Sequence, residues 1–290
     1  MLAINSYVDG GRFQILDVLG KGGSGTAYLA YDTHSSPKHP KYYAIKCVPR
    51  PANDADASAL LREIRLHKLV STHPGIVTLK RCIQEGPYQL FVMDFLAGGD
   101  LFRQITQQHR YFHSDALITD VFLQIIDAVH HCHENGVFHR DLKPENILCN
   151  QDGTRVVLAD FGLATRQPIS DDLGVGSGYY MSPECNAGPA YSTIANDMWS
   201  LGVILCNLAF GRNPWAQAVM SDATFAAYAA NPVYLSSILP ASPATAHILT
   251  GPHGLFSLDP RRRMSLAELR AEVCRVTRWT MTDDEVRYAS

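Results

Sequence analysis

One stretch constrains this chain more than any other. It reads His139-Arg140-Asp141-Leu142-Lys143-Pro144-Glu145-Asn146-Ile147-Leu148, passes a turn at Gly153, and continues Val156-Val157-Leu158-Ala159-Asp160-Phe161-Gly162. Two acidic residues, one lysine and one asparagine stand on loops bounded by short apolar strands. Four groups suited to protons, phosphate oxygens and divalent cations can therefore converge on one cleft. This points to phosphoryl transfer, where the protein mainly supplies positive charge, holds metal and aligns the attacking hydroxyl.

Composition narrows the setting. A chain of 290 residues, 46% hydrophobic and 18% charged, can bury one large core or two modest lobes, and one bilobal domain is the expectation. A net charge of -3 and a pI near 6.4 give no electrostatic footprint for nucleic acid, and Arg261-Arg262-Arg263 is the one local run of basic residues. Seven cysteines without a Cys-x-x-Cys pair suit free thiols in a reducing compartment, so cytoplasm or nucleus, or both, is expected. The N-terminus has no basic, apolar leader. The most apolar run, Met198 to Phe210, is short for a bilayer and interrupted by Asn207, which predicts a buried helix and no membrane partner.

The central stretch resembles the catalytic loop and metal-binding loop of eukaryotic protein kinases. The resemblance implies that Asp141 accepts the hydroxyl proton, that Lys143 offsets charge on the moving phosphoryl group, and that Asn146 and Asp160 hold Mg²⁺. It covers residues 13–278 with the kinase motifs in order, and implies an α+β, bilobal kinase fold. A β-rich N-lobe with one key helix spans 13–95, a mainly helical C-lobe spans 96–278, and 279–290 is a C-terminal tail. The implied cofactors are ATP and Mg²⁺. The implied partners are protein substrates with serine or threonine acceptors, met by a monomer.

Taken in order, Phe13 to Leu19 runs into Gly20-Lys21-Gly22-Gly23-Ser24-Gly25 and then Thr26 to Tyr31, a strand, glycine loop and strand. A dinucleotide fold would need a helix after the glycines, whereas Thr26-Ala27-Tyr28-Leu29 favours a strand. The pattern resembles the kinase Gly-rich loop, with alanine at 27 where valine is usual, a loss of up to about 1.6 kcal/mol of apolar contact with adenine. In Tyr43-Ala44-Ile45-Lys46 the lysine matches the kinase strand lysine, and by resemblance Lys46 reaches the α- and β-phosphates and pairs with Glu63. Glu63 lies on a helix predicted over 57–70, with Leu60, Leu61, Ile64 and Leu69 at helical spacing. The same resemblance places adenine among Ala27, Ala44, Met93 and Leu148, its polar edge on the backbone of Asp94 and Leu96, and the ribose or a basic substrate side chain on Asp100.

Apolar residues at 118, 121, 122, 125 and 129 predict a helix over 115–133, ending at Asn135-Gly136. His130, His131 and His133 at its end read as surface or packing residues. By resemblance, Glu184 of Met181-Ser182-Pro183-Glu184 pairs with Arg263, and Asp197 binds the backbone of the catalytic loop. His67 falls where many kinases carry an aliphatic residue. The loop position commonly phosphorylated in the family, eleven residues before Glu184, is Leu173 here. Asp171 and Asp172 precede it and could set a carboxylate near Arg140, with Ser170 as the alternative phosphosite. Ser265-Leu266-Ala267-Glu268 is a capping box, and 280–290 reads as a frayed acidic tail. Tyr179–Cys185, Asp222–Phe225 and Ser237–Pro240 are similar to fungal Ran/Pat-type serine/threonine kinases linked to meiosis and nutrient signalling. A pseudokinase scaffold that binds without turnover is the alternative reading.

Overall fold

Burial alternates along the first strands, as expected where successive side chains point to opposite faces of a sheet. In Gly25–Asp32, Tyr28, Ala30 and Asp32 are buried while their neighbours are only partly covered. The computed structural model describes residues 1–23 and 25–289 and divides into two compact units, Met1–Ala97 and Gly98–Ser290.

The first unit is an antiparallel sheet of β1 (Tyr7–Val8), β2 (Phe13–Gly22), β3 (Gly25–Asp32), β4 (Tyr42–Pro49), β5 (Leu79–Glu85) and β6 (Tyr88–Asp94), in the order β1-β2-β3-β4-β6-β5, with helix α1 (Asp54–Val70) between β4 and β5. Its core gathers Phe13, Ile15, Tyr28, Ile45, Leu90 and Val92. Gly22 pairs with Gly25 where β2 turns into β3. Gly25 sits at φ +130°, and a Cβ there would lie 2.5 Å from the Cys47 carbonyl oxygen, so only glycine fits.

Helix α1 begins three residues before its predicted start, because Asn53 caps it by accepting from the Asp56 N–H at 2.9 Å. Its buried face also differs from the expected one. Leu66, His67 and Val70 are buried, whereas Leu61 and Leu69 are 50% and 43% exposed. The inward stripe of α1 carries the polar residues Glu63 and His67, so its apolar periodicity is weak and pointed to the wrong side.

The second unit contains α2 (Leu101–Thr106), α3 (Asp115–Glu134), β7 (Ile147–Cys149), β8 (Val156–Leu158), β9 (Ile169–Ser170), α4 (Pro183–Ala187), β10 (Tyr191–Ser192), α5 (Thr193–Phe210), α6 (Ala223–Ala230), α7 (Tyr234–Ile238), α8 (Pro243–Thr250), α9 (Leu266–Val273) and α10 (Asp283–Ala289). Ile118, Val121, Phe122, Ile125 and Val129 form the buried face of α3, as their spacing predicts. Ser192 caps α5, which starts five residues ahead of the apolar run and ends at the left-handed Gly211. By length and composition α5 is apolar enough to cross a bilayer, yet 83% of it is buried inside the protein, which makes it a core helix. On it, Trp199 packs against Trp215 and Phe256 with ring centroids 5.3 and 5.0 Å away. The seven cysteines are free thiols.

The C-terminal segment is not frayed. Thr280 bridges Ala241, the Met281 N–H donates to Pro240, and 283–289 is helical. Trp279 is fully buried, edge-on to Phe122, and its indole N–H donates to Thr119 Oγ1 at 3.0 Å. Composition alone read this segment as acidic and solvated, and missed the one large aromatic side chain that anchors it. Replacing Trp279 with alanine is expected to cost about 3–5 kcal/mol. Urea unfolding of the variant checks this, and an unchanged midpoint would show that the strap adds nothing.

Candidate active site

Each unit carries one group of candidate residues. In the first, Lys46 lies on β4 opposite Ala27 on β3 and Phe91 on β6. Its Nζ stands 3.0 Å from Glu63 Oε1, with both side chains almost covered. One turn after Glu63, the His67 ring is buried, and its Nε2 is 2.8 Å from the Val77 carbonyl. A carbonyl only accepts, so this nitrogen carries the proton. Ser71 Oγ donates to the His67 carbonyl at 2.8 Å and accepts from the Leu79 N–H at 3.3 Å, which ties the end of α1 to the start of β5. Ala44 pairs with Met93, Asp94 forms an ion pair with Lys80 at 3.0 Å, and Leu96 is half-buried beyond β6. A Cβ on Gly20, Gly22 or Gly23 would meet nothing within 4 Å, so this rim is open to close approach, and Lys21 on it is exposed. Ser24 lies outside the described residues.

In the second unit the fully buried Asp197 carboxylate accepts from the backbone N–H groups of His139 at 3.0 Å and Arg140 at 2.9 Å. The His133 ring donates a third hydrogen bond to it at 2.8 Å. The loop so held presents Asp141. Asp141 Oδ1 accepts from Ser177 Oγ at 2.8 Å, and Oδ2 accepts from Lys143 Nζ and from Asn146 Nδ2, each at 2.9 Å. Lys143 Nζ also donates to Ser177 Oγ at 2.6 Å.

Pairing of β7 with β8 sets Ile147 opposite Leu158, so Asn146 and Asp160 leave the same end of this two-stranded ribbon. The Ala159 N–H donates to the Asn146 carbonyl at 2.8 Å. The Ala159 carbonyl accepts from His139 Nε2 at 3.1 Å, and His139 Nδ1 accepts from the Asp141 N–H at 3.3 Å, so one neutral tautomer satisfies both bonds. Asp160 adopts a left-handed φ of +61°, and its Oδ1 accepts from the Gly162 N–H at 3.4 Å. Leu148 pairs with Val157 and bridges Asp100, whose carboxylate caps α2 by accepting from the Arg103 N–H at 2.8 Å.

The donor set fits Mg²⁺. Asn146 bonds Asp141 twice through its amide nitrogen, which leaves its oxygen as the end that a cation would take, with the Asp160 carboxylate as the second oxygen donor. Two hard oxygens are what Mg²⁺ takes from a protein when water and phosphate oxygens complete its octahedron. Among the described residues no three of His, Cys, Asp and Glu gather as a metal cluster.

Comparison with known sequences decides the family. Residues 13–273 match the model of the protein kinase domain. The chain belongs to the protein kinase domain family. This kinase domain is 38% identical over 284 residues to a Schizosaccharomyces pombe protein named negative regulator of sexual conjugation and meiosis, covering 90% of the chain and 59% of that relative. It is 36% identical over 281 residues to the serine/threonine-protein kinase ksp1 of the same organism, covering 92% of the chain and 57% of the relative. It is 36% identical over 236 residues to the Saccharomyces cerevisiae serine/threonine-protein kinase VHS1, covering 76% and 50%. The chain thus spans somewhat over half the length of the first two relatives.

Within the kinase domain the structure brings Lys46 to Glu63, and Asp141, Lys143 and Asn146 to one another. It also brings Glu184 to Arg263. The Arg263 guanidinium makes two bonds to the Glu184 carboxylate, one through Nη1 and one through Nη2 at 2.8 Å. Nη1 also donates to the Ala195 carbonyl at 2.9 Å, and the guanidinium stacks 4.9 Å over the Trp199 ring.

Three contacts escaped the sequence reading. His133, taken for surface or packing, grips Asp197. Ser177 bonds Asp141. Tyr180 donates to Asn207 Oδ1 at 3.0 Å, and Asn207 donates to Asn213 at 2.6 Å. Partners 64, 36 and 27 residues apart leave no local signal.

The Arg263 side chain is wholly buried, so Glu184→Ala strands a charge and is expected to cost about 3–5 kcal/mol. The double variant Glu184→Ala/Arg263→Met should recover part of that loss. Urea midpoints of Glu184→Ala, Arg263→Met and the double variant against the parent measure it, and a double variant as unstable as the sum of the singles would refute the pairing energy.

Proposed function

We propose that this chain catalyses Mg-dependent transfer of the ATP γ-phosphate to serine or threonine hydroxyls of protein substrates, its sheet unit and helical unit serving as the two lobes of a kinase. The observation that carries the reading is the closed set of bonds among Asp141, Lys143, Asn146 and Ser177. A carboxylate meant to take a proton from an acceptor hydroxyl gains most when its orientation is fixed beforehand, and here both of its oxygens are held by named donors.

Asp141 is assigned the acceptor proton, and Lys143 the charge that develops on the transferring group. Lys46, kept in place by Glu63, is assigned the α- and β-phosphates, approached also by the backbone of Gly20–Gly25. Ala27, Ala44, Met93 and Leu148 are assigned the adenine faces, the backbone of Asp94 and Leu96 its edge, and Asp100 the ribose or a basic substrate side chain. Asn146 and Asp160 would hold Mg²⁺, which would supply positive charge to offset that of the phosphates.

Two of the relatives are named serine/threonine kinases and the third a negative regulator of sexual conjugation and meiosis, which supports a signalling role, assigned to nutrient or meiotic control by the family resemblance. A monomer acting in the cytoplasm or nucleus belongs to the same proposal, in keeping with seven free thiols.

Asp160→Asn and Lys46→Met should each lower kcat by roughly 10²- to 10³-fold. Transfer of labelled phosphate from Mg-ATP to serine peptides measures this. Undiminished turnover in Asp160→Asn, purified free of other kinases, would refute the assignment, and an inert parent with intact nucleotide binding would favour a scaffold.

Ala27→Val restores two methyl groups over adenine and should tighten ATP binding by up to about 1.6 kcal/mol. Calorimetric titration checks the direction, and an unchanged or weaker Kd would place Ala27 away from adenine.

A further inference from the structure

Arg140 is the most demanding side chain of the catalytic loop. It carries a permanent charge, yet it is only 4% exposed, and its backbone is left-handed at φ +65°, a conformation that branched and long side chains rarely adopt. A buried guanidinium is tolerated when an anion and further acceptors surround it. Arg140 Nε donates to the Leu163 carbonyl at 2.7 Å, and Nη1 donates to Ser170 Oγ at 3.2 Å and to Asp172 Oδ2 at 3.0 Å. All three acceptors lie between Gly162 and Glu184, so one side chain gathers that segment onto the catalytic loop.

Of these acceptors only Asp172 carries charge. Cys185 and Tyr191 stand nearby, and burial pushes the thiol and the phenol up from their ordinary values, so neither supplies an anion at neutral pH. Glu184 is spent on Arg263. Asp171, the other acid of the sequence motif, is exposed, and the ion pair of Arg140 is with Asp172.

Ser170 is 1% exposed, sits in β9 paired with Tyr191 of β10, and already accepts from Arg140 and from the Asp172 N–H at 3.2 Å. A modifying enzyme would have to peel this strand away to reach it. Further along, Gly176 passes so close that a Cβ would lie 2.8 Å from the Arg140 carbonyl oxygen, and the next residue is Ser177 on Asp141. The Arg140 contacts and the Asp141 contacts are therefore consecutive links of one segment.

We propose that Asp172 is a positioning residue for phosphoryl transfer, a built-in carboxylate that closes on Arg140 and holds residues 163–184 in working order with no phosphate added to the segment. The proposal rests on the kinase reading for its link to turnover but not for its structural content. The Asp172 side chain is 57% exposed, so water weakens the pair. A carboxylate also has less charge and fewer acceptor oxygens than a phosphate. Its loss should therefore loosen the segment rather than unfold the protein.

The experiment uses the full chain, shown by mass spectrometry to be free of phosphate. Hydrogen exchange across 163–184 is compared in the parent, Asp172→Ala, Asp172→Asn, Asp172→Glu and Asp171→Asn, with thermal unfolding as the control for folding. Exchange should be slow in the parent and in Asp171→Asn, faster in Asp172→Ala and Asp172→Asn, and partly restored in Asp172→Glu. In the same proteins kcat should fall about tenfold in Asp172→Ala, the loss of one charge-assisted hydrogen bond, with KM for ATP little changed.

Equal exchange in the parent and Asp172→Ala would overturn the proposal. So would a phosphate-free parent whose segment exchanges freely and becomes protected only on phosphorylation. Because exchange is read whether or not phosphate is transferred, an inert but protected parent would count against the kinase reading and not against this one.

Discussion

The second unit depends on the Asp197 carboxylate. It is wholly buried and takes three hydrogen bonds, two from the backbone at His139 and Arg140 and one from the His133 ring. A bare carboxylate in this position would be prohibitive, and a fully satisfied one is a rigid anchor. Left-handed backbone at a residue such as Arg140 costs about 1–3 kcal/mol. Hydrogen bonds to a charged acceptor contribute roughly 1.5–3 kcal/mol each, enough to offset it. The loop that presents Asp141 keeps its shape because a core helix supplies that acceptor.

The same helix explains the rest of the clamp. Helix α5 is long and apolar enough to cross a bilayer, yet it buries Asn196, Asp197, Ser200 and Asn207. Asn196 Oδ1 accepts from the N–H and Oγ of Ser182, Ser200 Oγ donates to the Tyr180 carbonyl, and Asn207 accepts from the Tyr180 hydroxyl. Arg263, bonded to Glu184, reaches the Ala195 carbonyl on its first turn. One face of α5 therefore fixes the catalytic loop while its polar positions fix the segment 180–184. The aromatic cluster around Trp199 holds the helix itself. Polar groups in an apolar helix are costly unless matched. Here the Asp197 carboxylate, Asn196 Oδ1, Ser200 Oγ and Asn207 Oδ1 each bond a loop that carries or borders a candidate reacting group, while Asn196 Nδ2 is buried without a partner.

What could be read in the sequence follows from distance along the chain. Asp141, Lys143 and Asn146 lie within six residues and Asp160 follows after one short ribbon, so residue types and spacing suffice to name them. The periodicity of α3 was plain because its buried face is wholly apolar. Helix α1 misled because its inward stripe includes Glu63 and His67, and apolar counting turned the helix toward Leu61 and Leu69. The bond from His133 to Asp197 crosses 64 residues and the seat of Trp279 against Thr119 crosses 160, and no local pattern encodes either. Arg263 was found only because the family motif reserves a position for it. A physical reading of residues 259–263 alone gives a surface basic run.

The two units hold their candidate residues by different means. Asp141 sits on a loop bolted to a core helix, whereas Glu63 sits on α1, which buries only Leu66, His67 and Val70 of its 17 residues. A helix with so little apolar contact lies toward the low end of local stability. Its attachment relies on the capping Asn53, the Lys46–Glu63 pair, and the His67 bond to the Val77 carbonyl, which places a buried polar contact where an aliphatic side chain would give only packing. A directional bond of this kind specifies where the helix end sits without burying much surface, and its loss leaves a buried carbonyl unpaired at about 1–3 kcal/mol. Lys46 is thus positioned by a lightly packed helix, and Asp141 by one buried along most of its length.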